Sequence, residues 1–234
     1  MKVIILGDGL LAKELEKQTG WFFVSRRKDK IDFNKEDSYF HFLQDYDVII
    51  NCIANTDTYS DDKESMWNTN YKAVSRLTDY CHNNYKKLVH ISTDYVYANN
   101  TNTPSETDVP VHAENWYSYT KLIADAYVEL KARDYLILRC SHKPKPFPYE
   151  KAFFDVSGSF DYVDVIASQI IELVNQNANG IYNIGTANKS LFMLAQQTKP
   201  NIQPGMAPEN MPKNLKMNLN KFKLQCKNLK KELS

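Results

Sequence analysis

The sequence predicts an α/β chain: a doubly wound, mostly parallel sheet with a small C-terminal lobe. Three observations carry this reading. Short runs rich in Val, Ile and Leu recur between helix-like stretches, the rhythm of a sheet whose strands are joined by helical crossovers. Several of those runs are apolar throughout rather than alternating, as expected of parallel strands covered on both faces. A glycine-bearing turn joins the first run directly to a helix-like stretch.

Taken in order, KVIIL (2–6) is the first strand and 10–18 the first helix. Between them Gly7-Asp8-Gly9-Leu10-Leu11-Ala12 fits the G-x-G-x-x-G/A pattern of a Rossmann dinucleotide site. Gly7 permits a tight turn, Gly9 lets backbone approach a pyrophosphate, and Ala12 is small enough for the helix to pack on the sheet. The helix N-terminus then attracts the phosphates. WFFVS (21–25) is the second strand. Where an NAD enzyme usually carries Asp or Glu, this chain has Ser25-Arg26-Arg27. Arginines beside the adenosine ribose suit a 2′-phosphate, so the stretch favours NADPH, with NADH the alternative. An exposed basic turn would look similar, since Lys28 and Lys30 continue the run.

Further strands are expected at DVIINCI (47–53), KLVHIS (87–92), YLILR (135–139) and IYNI (181–184), and helices over 36–44, 64–84, 116–132 and 162–176. Two stretches break the rhythm. Residues 142–160 hold three prolines and two aromatic clusters and read as a loop. Residues 196–234 lose the strand pattern and end in a lysine-rich tail, a solvated helix or a frayed terminus. The division that follows is a dinucleotide-binding core over 1–141 and a small substrate-binding lobe over 142–234, with 160–186 returning to the core.

Composition narrows the class. With 234 residues, 43% of them apolar, the chain can bury a sizeable core. A net charge of +1 provides no global basic field for nucleic acid or an anionic membrane. No apolar run approaches the ~18 residues of a membrane span, and Asp8 interrupts VIILGDGLLA too early for a signal peptide. Cys52, Cys81, Cys140 and Cys226 are scattered, as are the histidines, which disfavours a disulfide framework and a metal site alike. A reduced, cytoplasmic, metal-independent protein is expected.

WYSYTKL (116–122) places Tyr117 four residues before Lys121, a spacing that stacks two side chains on one helix face. Tyr59/Lys63 and Tyr127/Lys131 share that spacing, so context must decide. Tyr117 alone follows an expected loop (TPSETDVPVHAEN, 103–115), and it comes after a strand ending in Ser92-Thr93-Asp94. Strand C-terminal ends in an open α/β sheet are where ligands bind.

GDGLLA, INCIANTD (50–57), VHISTDYVY (89–97), WYSYTKLIAD (116–125) and FDYVDVIA (160–167) resemble the extended short-chain dehydrogenases/reductases. The likeness is closest to the dTDP-4-dehydrorhamnose reductase family and covers residues 1–141 and about 160–186. It implies Thr93 as the catalytic Ser/Thr, Tyr117 as proton donor and Lys121 as activating lysine. It also implies cofactor contacts at Gly7, Gly9, Leu10, Leu11, Ser25, Arg26, Arg27, Asp32, Phe33, Ala54 and Thr56, with Tyr117 and Lys121 touching cofactor too. Thr93, Asp94 and Tyr117 fall where the family holds its substrate, and Asn70 takes the place of the central-helix asparagine. The expected partner is a nucleotide sugar and the expected reaction NADPH-dependent reduction of its 4-keto group; a homodimer is left open.

The chemistry is consistent with those roles. Ketone reduction needs a hydride on carbon and a proton on the developing alkoxide. An ammonium near Tyr117 is expected to lower a phenol pKa that is ordinarily ~10, and a Thr93 hydroxyl would polarise the carbonyl. Sugar-nucleotide 4,6-dehydratases carry Thr-Asp-Glu where this chain has Thr93-Asp94-Tyr95, which disfavours dehydration; an epimerase of the same fold is a related alternative. A third reading is a non-catalytic NADP-binding regulatory subunit. The substrate half is shorter than is usual for the family, Cys140-Ser141-His142 stands where the family shows Ser/Thr-Ser-Trp, and Met211 replaces an arginine in MPKNLKMNLNK (211–221).

Overall fold

The computed structural model describes residues 1–110 and 115–232. Its core is a six-stranded parallel sheet. The first five strands are β1 (Val3–Leu6), β2 (Phe22–Val24), β3 (Val48–Asn51), β4 (Lys87–Ile91) and β5 (Tyr135–Arg139). The helices between them are α1 (Leu10–Thr19), α2 (Arg26–Asp29), α3 (Lys63–Met66), α4 (Ala73–Asn83) and α5 (Trp116–Lys131). Four short strands follow: β6 (His142–Lys143), β7 (Lys151–Phe153), β8 (Ser157–Gly158) and β9 (Asp161–Tyr162). The chain then returns through α6 (Val163–Asn175) to the sixth sheet strand, β10 (Gly180–Asn183). It finishes with β11 (Lys189–Ser190), α7 (Leu191–Gln196), β12 (Gln203–Gly205), β13 (Asn214–Leu215) and α8 (Asn220–Glu232).

The sheet order is β10-β5-β4-β3-β1-β2, every neighbouring pair parallel. Strand order reverses between β1 and β3, which opens a crevice above their C-terminal ends. The strands are apolar throughout because each face has its own core. Val3, Ile5, Val48, Ile50, Val89, Leu136 and Leu138 point to the side covered by α1 and α6. Ile4, Leu6, Ile49, Leu88 and Ile137 point to the other, under α4 and α5. That assignment follows directly from the two-residue side-chain period of a strand.

The departures from expectation have local causes. The stretch 36–44 forms two 3₁₀ turns, Glu36–Ser38 and Phe40–Leu43, rather than an α-helix. Its apolar residues Tyr39, Phe40, Phe42 and Leu43 are too closely bunched for one helical stripe, and all pack on the α4 side of the sheet. The expected 64–84 helix contains a π-helical segment, Trp67–Lys72, between α3 and α4. The stretch 142–160 is not a plain loop: it supplies β6, β7 and β8, and with Leu191, Leu194, Ile202 and Leu215 it builds a third core. The tail is a helix, and it is anchored: Phe222 of α8 is buried in the α1–α6 core. Of the expected 103–115 loop, residues 111–114 lie outside the described residues; before them, Pro104 and Glu106 reach the end of β10 through Asn183.

Gly185 marks the seam between sheet and lobe. Its φ is +156°, and an added Cβ would lie 2.0 Å from the Ser159 carbonyl oxygen, so only glycine lets the two segments cross there. Among the described residues no helix is long and apolar enough to cross a membrane, and no cluster of His, Cys, Asp and Glu could hold a metal ion.

Candidate active site

The C-terminal ends of β1, β3, β4 and β5 surround a cavity of about 430 Å³. Gly9, Leu10, Leu11 and Ala12 form one wall, Cys52, Ala54, Thr56 and Thr58 the next, and Thr93, Tyr95, Tyr117 and Lys121 face them. Ser141, His142 and Lys143, just past β5, close the side towards the lobe. Residues from five separate stretches thus meet because parallel strands end on one edge of the sheet.

Tyr117 and Lys121 owe their positions to the start of α5. Asn115 caps that helix, its side chain accepting a hydrogen bond from Ser118 N at 3.0 Å, which fixes Tyr117 in the first turn. Lys121, one turn on, is 1% exposed. Its ammonium donates to the Ile91 carbonyl at 2.7 Å and lies 3.3 Å from His90 Nε2. Thr93 follows β4; its hydroxyl accepts from Tyr95 N at 3.2 Å, and it lines the cavity together with Tyr117. The Tyr95 ring meets the Tyr117 ring edge-on, with centroids 6.1 Å apart. Neither rival pair reaches this place: Tyr59 is exposed, and the Tyr127 hydroxyl donates to Asp79 on α4. Tyr119 stacks on Trp116.

Electrostatics correct one expectation. The Tyr117 pKa is pushed up, not down, chiefly by burial, with the Thr93 hydroxyl acting against the rise and the neighbouring Asp94 adding to it. The Lys121 ammonium is spent on Ile91 and His90 instead of lowering the phenol. Burial also brings Lys121 itself down to about 8, with Asp125 opposing the fall. Behind it lies a buried polar network. Asp125 accepts from Ser92 at 2.8 Å and from Arg139 at 3.1 Å, and Arg139 donates to the Tyr97 hydroxyl. His90 is fully buried, and burial together with Lys121 keeps its pKa well below the usual value. A neutral imidazole beside Lys121 adds no second positive charge to the pocket.

The proposed cofactor residues divide. Gly9, Leu10, Leu11, Ala54 and Thr56 line the cavity. Gly7 has φ +110° and sits tight against the end of β3, its added Cβ 3.2 Å from Ile53. Gly9 is the N-cap of α1, and nothing lies within 4 Å of an added Cβ; that open space at a helix N-terminus is the cradle a pyrophosphate needs. Arg27 is exposed and pairs with Asp8 of the glycine loop at 3.7 Å, beside Arg26 on the short α2. These residues fit a phosphorylated dinucleotide. Ser25 is different: it is fully buried, and its hydroxyl caps α2 by accepting from Lys28 N. Phe33 is buried against Tyr39 in the α4-side core, and Asp32 turns the chain by accepting from Asn34 N.

Asn70 sits in the π segment and grips the end of the β3 loop. Its Oδ1 accepts from Asn55 N at 2.8 Å, and its Nδ2 donates to the Asn55 carbonyl and to Thr120. One asparagine therefore ties the cofactor-side loop to the helix bearing Tyr117, three residues before the Ala73 that starts α4 proper. Sequence reasoning missed Cys52, Thr58, Ser141 and Lys143 in the cavity wall, although their places just past strand ends would have pointed to them. It also missed the His90 contact with Lys121, for which the sequence carries no signal.

Comparison with known proteins points one way. A family model described as the RmlD substrate binding domain matches residues 1–170. The dTDP-4-dehydrorhamnose reductase of Mycolicibacterium smegmatis is 30% identical over 145 residues, 59% of this chain and 44% of that protein; the match spans less than half the length of the curated relative. Among solved structures, the dTDP-4-dehydrorhamnose reductase of Bacillus anthracis in complex with NADP superposes with a TM-score of 0.83 at 22% identity, covering 96% of this chain and 92% of that one. A hypothetical dTDP-4-dehydrorhamnose reductase from Sulfolobus tokodaii gives 0.82 at 24% identity, over 96% and 94%. At those identities the structural likeness speaks for the fold.

Proposed function

The chain belongs to the RmlD substrate binding domain family, and from that premise we propose that it is an NADPH-dependent reductase of the 4-keto group of a nucleotide-activated 6-deoxysugar, of the dTDP- or UDP-4-keto-rhamnose type. One observation carries the reading: Thr93 and Tyr117 share a cavity with Lys121 and the glycine loop. When bound, the dihydronicotinamide supplies the hydride. Gly9 and the α1 N-terminus would hold the pyrophosphate, and Arg26 and Arg27 the 2′-phosphate.

The chain's own part is the proton and the developing negative charge. Thr93 and Tyr117 offer two hydroxyls to one carbonyl oxygen, the arrangement that stabilises an alkoxide as it forms. Because burial raises its pKa, Tyr117 is fully protonated at neutral pH, the form that can give its proton to that oxygen. Lys121, held between Ile91 and His90, keeps positive charge beside the site and has a pKa close to working pH. The free cysteines Cys52, Cys81, Cys140 and Cys226 suit the reducing cytoplasm.

The test is NADPH oxidation with a 4-keto-6-deoxy sugar nucleotide, wild type beside Tyr117→Phe. A general acid contributes about 10²–10⁴-fold in rate, so the variant is expected to lose that much while still binding NADPH. Undiminished turnover would remove Tyr117 from the mechanism. A wild type that binds NADPH but reduces no sugar nucleotide would favour the regulatory-subunit reading.

A further inference from the structure

Three buried side chains run in a line behind the cavity: Lys121, His90 and Asn51. His90 and Asn51 are paired across β4 and β3. The Asn51 amide is fixed from outside, because its Oδ1 accepts from Ile53 N at 3.0 Å. Its donor, Nδ2, is therefore the atom that faces His90 Nδ1, at 3.4 Å. A neutral imidazole has one N–H and one acceptor nitrogen, so accepting from Asn51 leaves the proton on Nε2. That atom faces Lys121 Nζ at 3.3 Å. Asp125 Oδ1, unpartnered among the described residues, is 3.8 Å from Nε2, too far for a hydrogen bond. An ammonium has three donors and accepts nothing, so it meets Nε2–H donor to donor. The opposite tautomer only moves the same conflict to Asn51. The amine form of Lys121 removes it: Nζ still donates to the Ile91 carbonyl at 2.7 Å, and its lone pair accepts from Nε2–H.

We propose that His90 and Asn51 are positioning residues that set the charge of Lys121, bringing its ammonium and amine forms close enough in energy to exchange during turnover. This assignment rests on the reductase reading, in which Tyr117 gives its proton to the alkoxide. When Lys121 replaces that proton, an N–H bond breaks, the electron pair stays on Nζ and the phenolate gains an O–H bond. His90 Nε2–H is then in place to satisfy the new lone pair. The other titratable groups around Lys121 do not take this part. Asp125, one helical turn along α5, favours the ammonium but already accepts from Ser92 and Arg139. Burial raises the thiol pKa of Cys52, past β3, and of Cys140, past β5, so both are neutral at working pH. Tyr117 is raised as well. Burial of Lys121 itself acts in the same direction as His90.

Nitrogen-15 NMR of the protein without cofactor reads both groups directly in wild type, His90→Gln and Asn51→Asp. Each replacement supplies an acceptor where wild type has a donor: the glutamine carbonyl for the ammonium, the aspartate carboxylate for Nδ1–H. The His90 ring is expected to carry its proton on Nε2 in wild type and on Nδ1 in Asn51→Asp. The acid dissociation constant of Lys121 should fall at least ~10-fold in His90→Gln, a change that adds no charge to the site. A wild-type ring protonated on Nδ1, or a Lys121 titration unmoved in His90→Gln, overturns the assignment. So does a ring proton that stays on Nε2 in Asn51→Asp, which decides the matter if His90→Gln does not fold. The pH profile of kcat with NADPH and a 4-keto-6-deoxy sugar nucleotide tests the reading beneath it. Its alkaline limb should move up in His90→Gln together with the Lys121 titration. Wild type that shows the expected NMR behaviour but reduces no sugar nucleotide keeps the charge-setting network and drops the reductase reading.

Discussion

Replacing Lys121 with methionine separates stability from activity in opposite directions. The methionine keeps an unbranched apolar stem and removes the buried charge. In the folded protein the Lys121 pKa falls from 10.5 to about 8, first through burial. At ~1.4 kcal/mol for each tenfold change, the ammonium is about 3 kcal/mol less favourable in the fold than in water. Lys121→Met removes that penalty but orphans the Ile91 carbonyl, which costs about 1 kcal/mol. The variant is therefore expected to be about 1–2 kcal/mol more stable than wild type at pH 7, and inactive as a reductase. The pH dependence is diagnostic. Unfolded Lys121 keeps its proton up to 10.5, whereas the folded residue releases it near 8. Between those values the unfolded chain binds more protons, so wild-type stability rises with pH. The gap between variant and wild type should be widest below pH 8 and close by about pH 10.5. Urea denaturation at pH 7 and pH 10 measures it. A variant less stable than wild type at both pH values, by an unchanged margin, would refute the idea that Lys121 is a charge held against its solvation.

Three other outcomes follow from the geometry. Gly9→Val should fold within about 0.5 kcal/mol of wild type, because φ at Gly9 is −67° and an added Cβ meets nothing within 4 Å; its affinity for NADPH should fall at least ~100-fold, read by fluorescence titration. Arg27→Ala should weaken NADPH about 10-fold and leave NADH unchanged, since Arg27 is exposed beside the glycine loop and would be lost only to the 2′-phosphate; equal losses for both cofactors would assign Arg27 to the fold. Gly185→Ala should cost about 3 kcal/mol in denaturant unfolding, because the new methyl would sit 2.0 Å from Ser159 O.

The sheet was legible because its cause is local. VIIL, VIIN, KLVHI, YLILR and GIYN each carry enough continuous apolar surface to be strands covered twice, and the glycine loop announces its turn by composition. The internal strands of the C-terminal lobe were not legible. Its strands β6, β8, β9, β11 and β13 are two residues long and exist only through partners far along the chain, as when Ser157 pairs with Asn214 and Ser190. No local pattern encodes such pairs. The same distinction explains α8, whose lysines suggested a solvated tail while Phe222, with Cys226 packed beside it, anchors the helix in the core.

Within the site, the sequence by itself determined which residues could do chemistry: Thr93 at a strand end, Tyr117 and Lys121 one helical turn apart, Gly9 at a helix start. Tertiary structure alone decided how they are charged. Spacing predicted that Lys121 would lower the Tyr117 pKa, yet the fold turns the ammonium to Ile91 and His90 and buries the phenol, whose pKa rises. Tertiary structure likewise brought Lys143 into the cavity wall. Side-chain spacing along a helix is a property of the local backbone, whereas a pKa depends on every dipole, charge and solvent gap around the group, and those are supplied by segments remote in the chain.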